Sequence, residues 1–280
     1  MRVTPQAGSL VLDLLSAVGG RAIPVRALVR AAELFGITEN NLRVALARLV
    51  ADGKVERNER GSYGLSAAAE PVQRRVVSWS RRDDRVVPWS GGWVAAHVGA
   101  LPRGERARGK RRRQALSFAG MRELSPGLFV RPDNLRGGVA AVRAELGELG
   151  MDAGAWVCGL SELDTAMDGR ARTLWAEDAL DDGYVETSER LAKSRAQLDD
   201  VPLEQAVVEC FLLGGRAIRQ LAYDPLLPEP IVRPELRRAL VQEMGRYDVA
   251  GRRIWRKFMR AQGAPAPESL LSFRHVGRAS

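Results

Sequence analysis

Apolar residues recur at three- and four-residue spacing in three short segments near the start of the chain. Leu10, Val11, Leu14, Leu15 and Val18 make one stripe, closed by Gly19 and Gly20. Val25, Leu28, Val29, Ala32 and Phe35 make a second, opened by Pro24, and Leu42, Ala45, Leu46 and Leu49 make a third. This period predicts helices over residues 9–18, 24–35 and 39–52. Thr38 can accept from the freed amide of Asn40 or Asn41 and so cap the third helix, and Gly53 suits a left-handed stop. The pattern then shortens to two extended runs, 54–58 and 62–65, joined by a turn at Arg60 and Gly61. Three helices and a hairpin predict a winged helix-turn-helix whose third helix can enter a DNA major groove.

Residues 66–72, SAAAEPV, are poor in large apolar groups and mark a boundary. Beyond them, Val77 and Trp79 alternate with arginines, which predicts a strand or joining segment over 74–84. Extended runs at 92–98, 128–131 and 155–160 alternate with helical patterns at 104–119 and 138–149. In the first of these helices Ala107, Ala115, Phe118 and Ala119 are expected to face the sheet; in the second, Val142, Leu146 and Leu149. The order predicts a small ferredoxin-like α/β domain with an edge available for pairing, in which Thr173 to Glu177 can return to the sheet.

Residues 181–196 are expected to be a linker entering a helix, and helical spacing resumes after Pro202, from Ala206 to Leu221. PLLPEP ends that element, Pro234 opens another containing Leu236, Leu240 and Met244, and a further helix is expected over 250–259. Met244, Trp255 and Phe258 are assigned to the core. The expected organisation is a winged helix over 1–66, a central dimerisation domain over 73–178, a helical domain over 179–263 and a flexible tail over 264–280. The fold class is therefore α/β multidomain.

The 280 residues carry 43 Lys plus Arg against 34 Asp plus Glu, a formal net charge of +9, which makes a polyanionic partner plausible. Much of that excess is local: between Arg103 and Arg122 eight basic residues face one acidic residue, Glu105. Arg106, Lys110, Arg111 and Arg113 in this run are candidate DNA-backbone contacts, with a solvated face, an intersubunit ion-pair surface or a site for the phosphates of a nucleotide-like effector as the competing roles. Cys158 and Cys210 match no metal spacing and are expected as buried small hydrophobes in a reducing cytoplasm. No run of eighteen apolar residues and no basic leader with a hydrophobic core is present, so neither a membrane span nor export is expected.

In the third helix, Asn40 and Asn41 can pair with adenine edges, and Arg43 can reach guanine or phosphate. The competing roles are helix-start satisfaction for the asparagines and a solvated charge for Arg43. Arg48 is a secondary candidate that can instead pair with Asp52, and Arg57 and Arg60 bracket the hairpin turn within reach of a neighbouring phosphate or minor groove. His97 and His275 lack partners at metal spacing, and no nucleophile elbow, Walker loop or dinucleotide fingerprint occurs. No cofactor or metal is expected, and no catalytic residue is assigned.

The motifs SLVLDLLSAVGG, PVRALVRAAELFGITENNLRVALARLVADGKVERNERGSYGL, WSGGWVAAHVG, SPGLFVRPDNL and LAYDPLLPEP together resemble the phenylacetic acid catabolon repressor family, the PaaX-like transcriptional regulators. The resemblance implies a homodimeric repressor that binds an inverted-repeat operator in double-stranded DNA. It also implies a central domain similar to the CRISPR-associated nuclease of the Cas two type, and release by an acyl-CoA or aromatic effector. It places DNA reading on Asn40, Asn41, Arg43 and Arg48, with Arg57 and Arg60 on the wing. Two features depart from the family pattern: the segment LLPEPIVRPEL lacks the tryptophan-proline-glycine element, and Gly64 stands where a bulkier wing residue is expected. A metal-dependent nucleic-acid-processing enzyme and an effector-independent activator or architectural protein are the alternative functions.

Overall fold

The computed structural model describes residues 5–19, 21–58, 60–66, 78–100, 104–151 and 154–268, with backbone alone at 78, 177 and 178. Most of the expected boundary at 66–72, Arg103, His275 and the end of the tail lie outside the described residues. The protein is mixed α/β and divides into two compact units. One comprises residues 1–80, 187–222 and 240–280, the other 81–186 and 223–239.

In the first unit, α1 (Ala7–Ala17), α2 (Val25–Glu33) and α3 (Glu39–Ala51) accompany a three-stranded antiparallel sheet. Its strands β1 (Ile23–Pro24), β2 (Val55–Arg57) and β3 (Ser62–Leu65) lie in the order β1-β3-β2. Periodicity predicted one inward stripe for α1, yet every residue from Leu10 to Ala17 is buried, Asp13 included. The chain returns past its C-terminal end: the Glu268 amide donates to the Ala17 carbonyl at 2.7 Å. The unit also holds α8 (Leu203–Glu209), a π-helical turn over Cys210–Gly214, and α9 (Gly215–Ala222). An aromatic run of Phe35, Phe211, Trp255 and Phe258 ties the end of α2 to these C-terminal helices, with ring centroids 4.9 to 6.1 Å apart. Trp255 and Phe258 meet edge to face and the other two pairs are tilted, geometries that add to simple burial.

The second unit is built on a four-stranded antiparallel sheet of β4 (Trp93–His97), β5 (Arg122–Ser125), β6 (Leu128–Pro132) and β7 (Trp156–Leu160). The strand order is β5-β6-β4-β7, with α4 (Arg106–Phe118) between β4 and β5 and α5 (Gly138–Glu148) between β6 and β7. Alternation along β4 puts Val94 and Ala96 in a core with Ala115, Leu116, Val142 and Leu146 of these helices. Leu116 takes an inward place where Ala107 was expected, and Ala107 is exposed. The opposite face of β4 presents Trp93 and Ala95 to Val130, Ala171, Trp175 and Leu227.

Several expectations change here. Thr173–Asp178 is a 3-10 helix following α6 (Thr165–Arg172), where a strand was considered. Its Trp175 covers the sheet face by stacking on Trp93 at 6.3 Å, a role that a strand in the sheet could not fill. Ser78–Arg85 is likewise 3-10 helical, with Trp79 buried. The supposed linker is helical from its start, α7 (Leu180–Gln197), and the two expected final helices are one, α10 (Pro234–Ala261). Gly245 and Gly251 leave α10 unbroken because Met244, Tyr247, Ile254, Trp255 and Phe258 bury one continuous stripe. Cys210 is buried as expected, its thiol pushed up to about 12 by burial, whereas Cys158 is exposed, because on β7 it falls on the part of the sheet face left open.

A buried polar network holds residues 223–237 onto the second unit. Tyr184 donates to Asp224 Oδ2 at 2.6 Å, the Leu226 amide donates to Oδ1 at 2.8 Å, and Arg82 donates to the Asp224 carbonyl at 2.9 Å. Arg237 pairs with Asp83 and lies 3.8 Å from Asp224 Oδ1. Burial raises the Asp224 carboxyl above its ordinary range and Tyr184 above its own. Arg131 donates to the carbonyls of Ala119, Pro132 and Pro225 and to Asn134 Oδ1, and burial lowers its guanidinium to about 10, still charged at neutral pH. Gly120 admits this segment: its φ is +71°, and a Cβ there would meet Pro225 Cα at 2.9 Å.

Replacing Arg131 by Met fills the space but strands four acceptors, three of them in buried hydrogen bonds. Urea unfolding should show a loss of about 2–4 kcal/mol; a loss within about 0.5 kcal/mol, the range of ordinary surface substitutions, would remove the network from the unit's stability.

Candidate nucleic-acid interface

Helix α3 is positioned by its buried side. Leu42, Leu46 and Leu49 are 0, 1 and 7% exposed, while Asn40, Asn41, Arg43, Val44, Ala47, Arg48 and Ala51 face solvent. The Thr38 hydroxyl accepts from the Asn41 amide at 3.3 Å, one of the two caps the spacing allowed. Asn40 and Asn41 therefore keep their side-chain amides outward.

The two arginines of α3 differ. Arg43 pairs with Glu39 one turn back, at 2.7 Å from Nε and 2.6 Å from the terminal nitrogen, with both side chains more than half exposed. Such an exposed pair contributes between zero and about 1 kcal/mol and yields readily to a phosphate. Arg48 does not pair with Asp52, which pairs with Lys54 at 3.0 Å, and it projects from the exposed side. At 100° per residue, Asn40, Asn41 and Arg48 lie within about 60° of Val44, while Arg43 sits about 100° round on the flank.

The hairpin follows closely. The Lys54 amide returns to the Leu49 carbonyl at 2.9 Å, which joins β2 to the end of α3. Asn58 Oδ1 accepts from the Ser62 amide at 2.9 Å, and Gly61, at φ +72°, closes the turn. Arg57 and Arg60 are exposed on either side of it. β1 fastens the hairpin's inner strand through the pairing of Ile23 with Tyr63.

The basic run lies in the other unit. On α4, Arg108 pairs with Glu105 at 2.8 Å and Arg112 donates to the Gly99 carbonyl at 2.5 Å. Arg106, Lys110, Arg111 and Arg113 are exposed and have no carboxylate partner among the described residues. The structure thus brings Asn40, Asn41, Arg43, Arg48, Arg57 and Arg60 into one unit and sets the α4 residues in the second.

Residues 6–69 match a family model described as PaaX-like protein. The match takes in α1 to β3 and thus the whole α3 face and the hairpin. An uncharacterized protein from Mycobacterium tuberculosis of known structure is 24% identical, with a TM-score of 0.56 over 86% of this chain and 97% of that one; it shares the fold. Among curated proteins, none matches the chain.

Periodicity singled out the polar residues of α3 and passed over Val44, which is 42% exposed at the centre of the outward face. The signal was available: Val44 and Val50 are the large apolar residues of the third segment left off its inward stripe, and of the two Val44 lies opposite that stripe. Elsewhere, a groove of about 540 Å³ is lined by Arg195, Arg246, Arg252, Arg253 and Arg256, but Asp199, Glu243 and Asp248 already engage the first four. Among the described residues, no group of three or more His, Cys, Asp or Glu could hold a metal, and no helix is long and apolar enough to cross a membrane.

Thr38→Ala removes the cap while leaving every outward side chain of α3 in place. Thermal or urea unfolding should report a loss of about 1 kcal/mol; no change would assign the helix start to another group.

Proposed function

We propose that this protein is a homodimeric transcriptional repressor that reads an operator in double-stranded DNA through α3 and grips it with the β2–β3 hairpin as a wing. The observation that carries this is the outward face of α3: two free amides and a guanidinium at helical spacing, next to an arginine-flanked hairpin, in the segment that matches the PaaX-like family. In this reading residues 1–66 are a winged helix-turn-helix. Asn40 and Asn41 pair with adenine edges, Arg48 reaches a guanine, and Arg43, Arg57 and Arg60 hold phosphates. Arg106, Lys110, Arg111 and Arg113 add sequence-independent phosphate contacts.

The strand order of the second unit supports a ferredoxin-like central domain, and its edges suggest how two copies meet. β5 carries Arg122 and Glu123 and a register irregularity, all devices that discourage edge pairing. β7, WVCGL, is uncharged, carries Trp156 at 73% exposure, and has one outer guard, the donation from Arg143 to the Val157 carbonyl. Two copies joined there would present two α3 helices to an inverted repeat. Repression follows from occupying the promoter, and an acyl-CoA or aromatic acid would release it. No catalytic step is part of this function.

The test is binding of the full chain to a duplex selected from a random library. Asn40→Ala and Asn41→Ala should each weaken the selected duplex by about 1–3 kcal/mol and leave random DNA unchanged, and Arg48→Ala should weaken the selected duplex more than random DNA. Arg43→Ala should weaken both alike. Replacing Arg106, Lys110, Arg111 and Arg113 by Gln should flatten the dependence of affinity on salt. Equal affinity for selected and random duplexes in the unaltered protein would sink the operator-reading function, and operator affinity unmoved by a panel of acyl-CoA and aromatic-acid ligands would reject release by an effector.

The dimer has its own check. Trp156→Arg should convert the protein to a monomer in sedimentation velocity, and a dimer of unchanged affinity would move the interface away from β7.

A further inference from the structure

The least polar part of the α3 face carries information that charge and hydrogen bonding do not. At 100° per residue, Val44 points within about 20° of the direction opposite the mean of Leu42, Leu46 and Leu49. It therefore stands at the crest of the helix. Around it, Asn40 and Asn41 lie one turn before, Arg48 one turn after, and Ala47 and Ala51 run beside it, all exposed. Val44, Ala47 and Ala51 form a bare lane of small apolar groups between polar flanks. Val50, the other exposed valine of α3 at 40%, lies about 120° round from Val44 beside the buried stripe, so of the two it is Val44 that puts a branched apolar group on the crest, where valine is a poorer helix former than alanine, lysine or glutamate. A lane of small side chains does let a helix backbone come close to another surface.

In the major groove the apolar feature that distinguishes one base from another is the C5-methyl group of thymine. The asparagine amides one turn away suit adenine in the same groove. We infer that Val44 is a specificity-determining residue that contacts a thymine methyl, so that the preferred site carries a thymine beside the adenine read by Asn40 or Asn41. This rests on the operator-reading function and adds a base preference to it.

Deoxyuridine in place of thymine removes that methyl and leaves every hydrogen-bonding group intact, which makes it the probe. Each thymine of the selected duplex is replaced in turn, and binding of the full chain is measured by fluorescence anisotropy. At one position the unaltered protein should lose about fourfold in affinity, the effect of withdrawing one buried methyl group. Val44→Ala should bind the thymine duplex about as weakly as the unaltered protein binds the uracil one, and should not respond to the replacement. Val44→Thr, which keeps one γ-methyl able to face the thymine, should retain part of the response that Val44→Ala loses. Because Val44 is exposed and alanine favours a helix, both variants should melt like the unaltered protein.

The inference is overturned if the duplex is bound selectively yet no thymine is sensitive, or if Val44→Ala keeps the full response. Loss of all selectivity in the unaltered protein would instead overturn the operator-reading function, and this inference with it. The two failures are distinguished by whether selected and random duplexes still differ.

Discussion

The burial of Leu42, Leu46 and Leu49 is the constraint on which the functional reading depends. Each fully buried leucine contributes about 1.5–3 kcal/mol relative to exposure, so the three together approach the net stability of a typical domain. Exposed polar and ionic contacts on the same helix, such as Arg43 with Glu39, amount to a fraction of that. The leucines therefore decide the rotation of α3, and the polar residues accept whatever direction results. Rolling the helix by one residue would bury an asparagine or an arginine without a partner, and that penalty reinforces the choice.

The second unit is held by a different balance. Its sheet has one face covered by α4 and α5, an apolar layer that also buries Arg131, which stands opposite Val94 in the strand register. The other face is covered by irregular chain: the 3-10 turn bearing Trp175 and the segment around Leu227 and Val232. Irregular chain brings backbone carbonyls with it, and buried carbonyls need donors. Arg131, Arg82 and Asn134 supply them where residues 224–226 pass the sheet, at the carbonyls of Pro225, Asp224 and Leu226, and Arg131 also serves those of Ala119 and Pro132. The buried charge of Arg131, costly in an apolar core, is tolerated because its fork satisfies several acceptors at once.

The two classes of candidate contact follow from these balances. α3 offers directed groups on a rigid helix beside a braced turn, the condition for reading base edges. α4 offers four exposed charges with no carboxylate partner among the described residues, the condition for nonspecific attraction to phosphate. A helix of the first kind loses selectivity when one side chain changes, and one of the second kind loses only salt-dependent affinity.

Much of the fold was legible along the chain where local period and burial agree. The leucine stripe of α3, the Thr38 cap, the glycine at 53 and the strands at 93–97 and 156–160 all follow from spacing and stop residues, because a helix or strand with one apolar face carries its period in the sequence. Where burial comes from distant chain, the period is lost or misleads. α1 is buried all round by segments it cannot foresee, α10 runs through two glycines because its stripe is continuous, and Thr173–Asp178 became a 3-10 turn because Trp175 had a tryptophan to stack on. The same limit applied to the site. Sequence by itself determined which residues of α3 are polar, which are apolar and which face turns inward. Tertiary structure decided that Val44 stays uncovered, that Cys158 is exposed and Cys210 buried, and that Arg131 is a structural donor. Exposure and pairing are properties of what packs against a residue, and that is set by contacts far away in the chain.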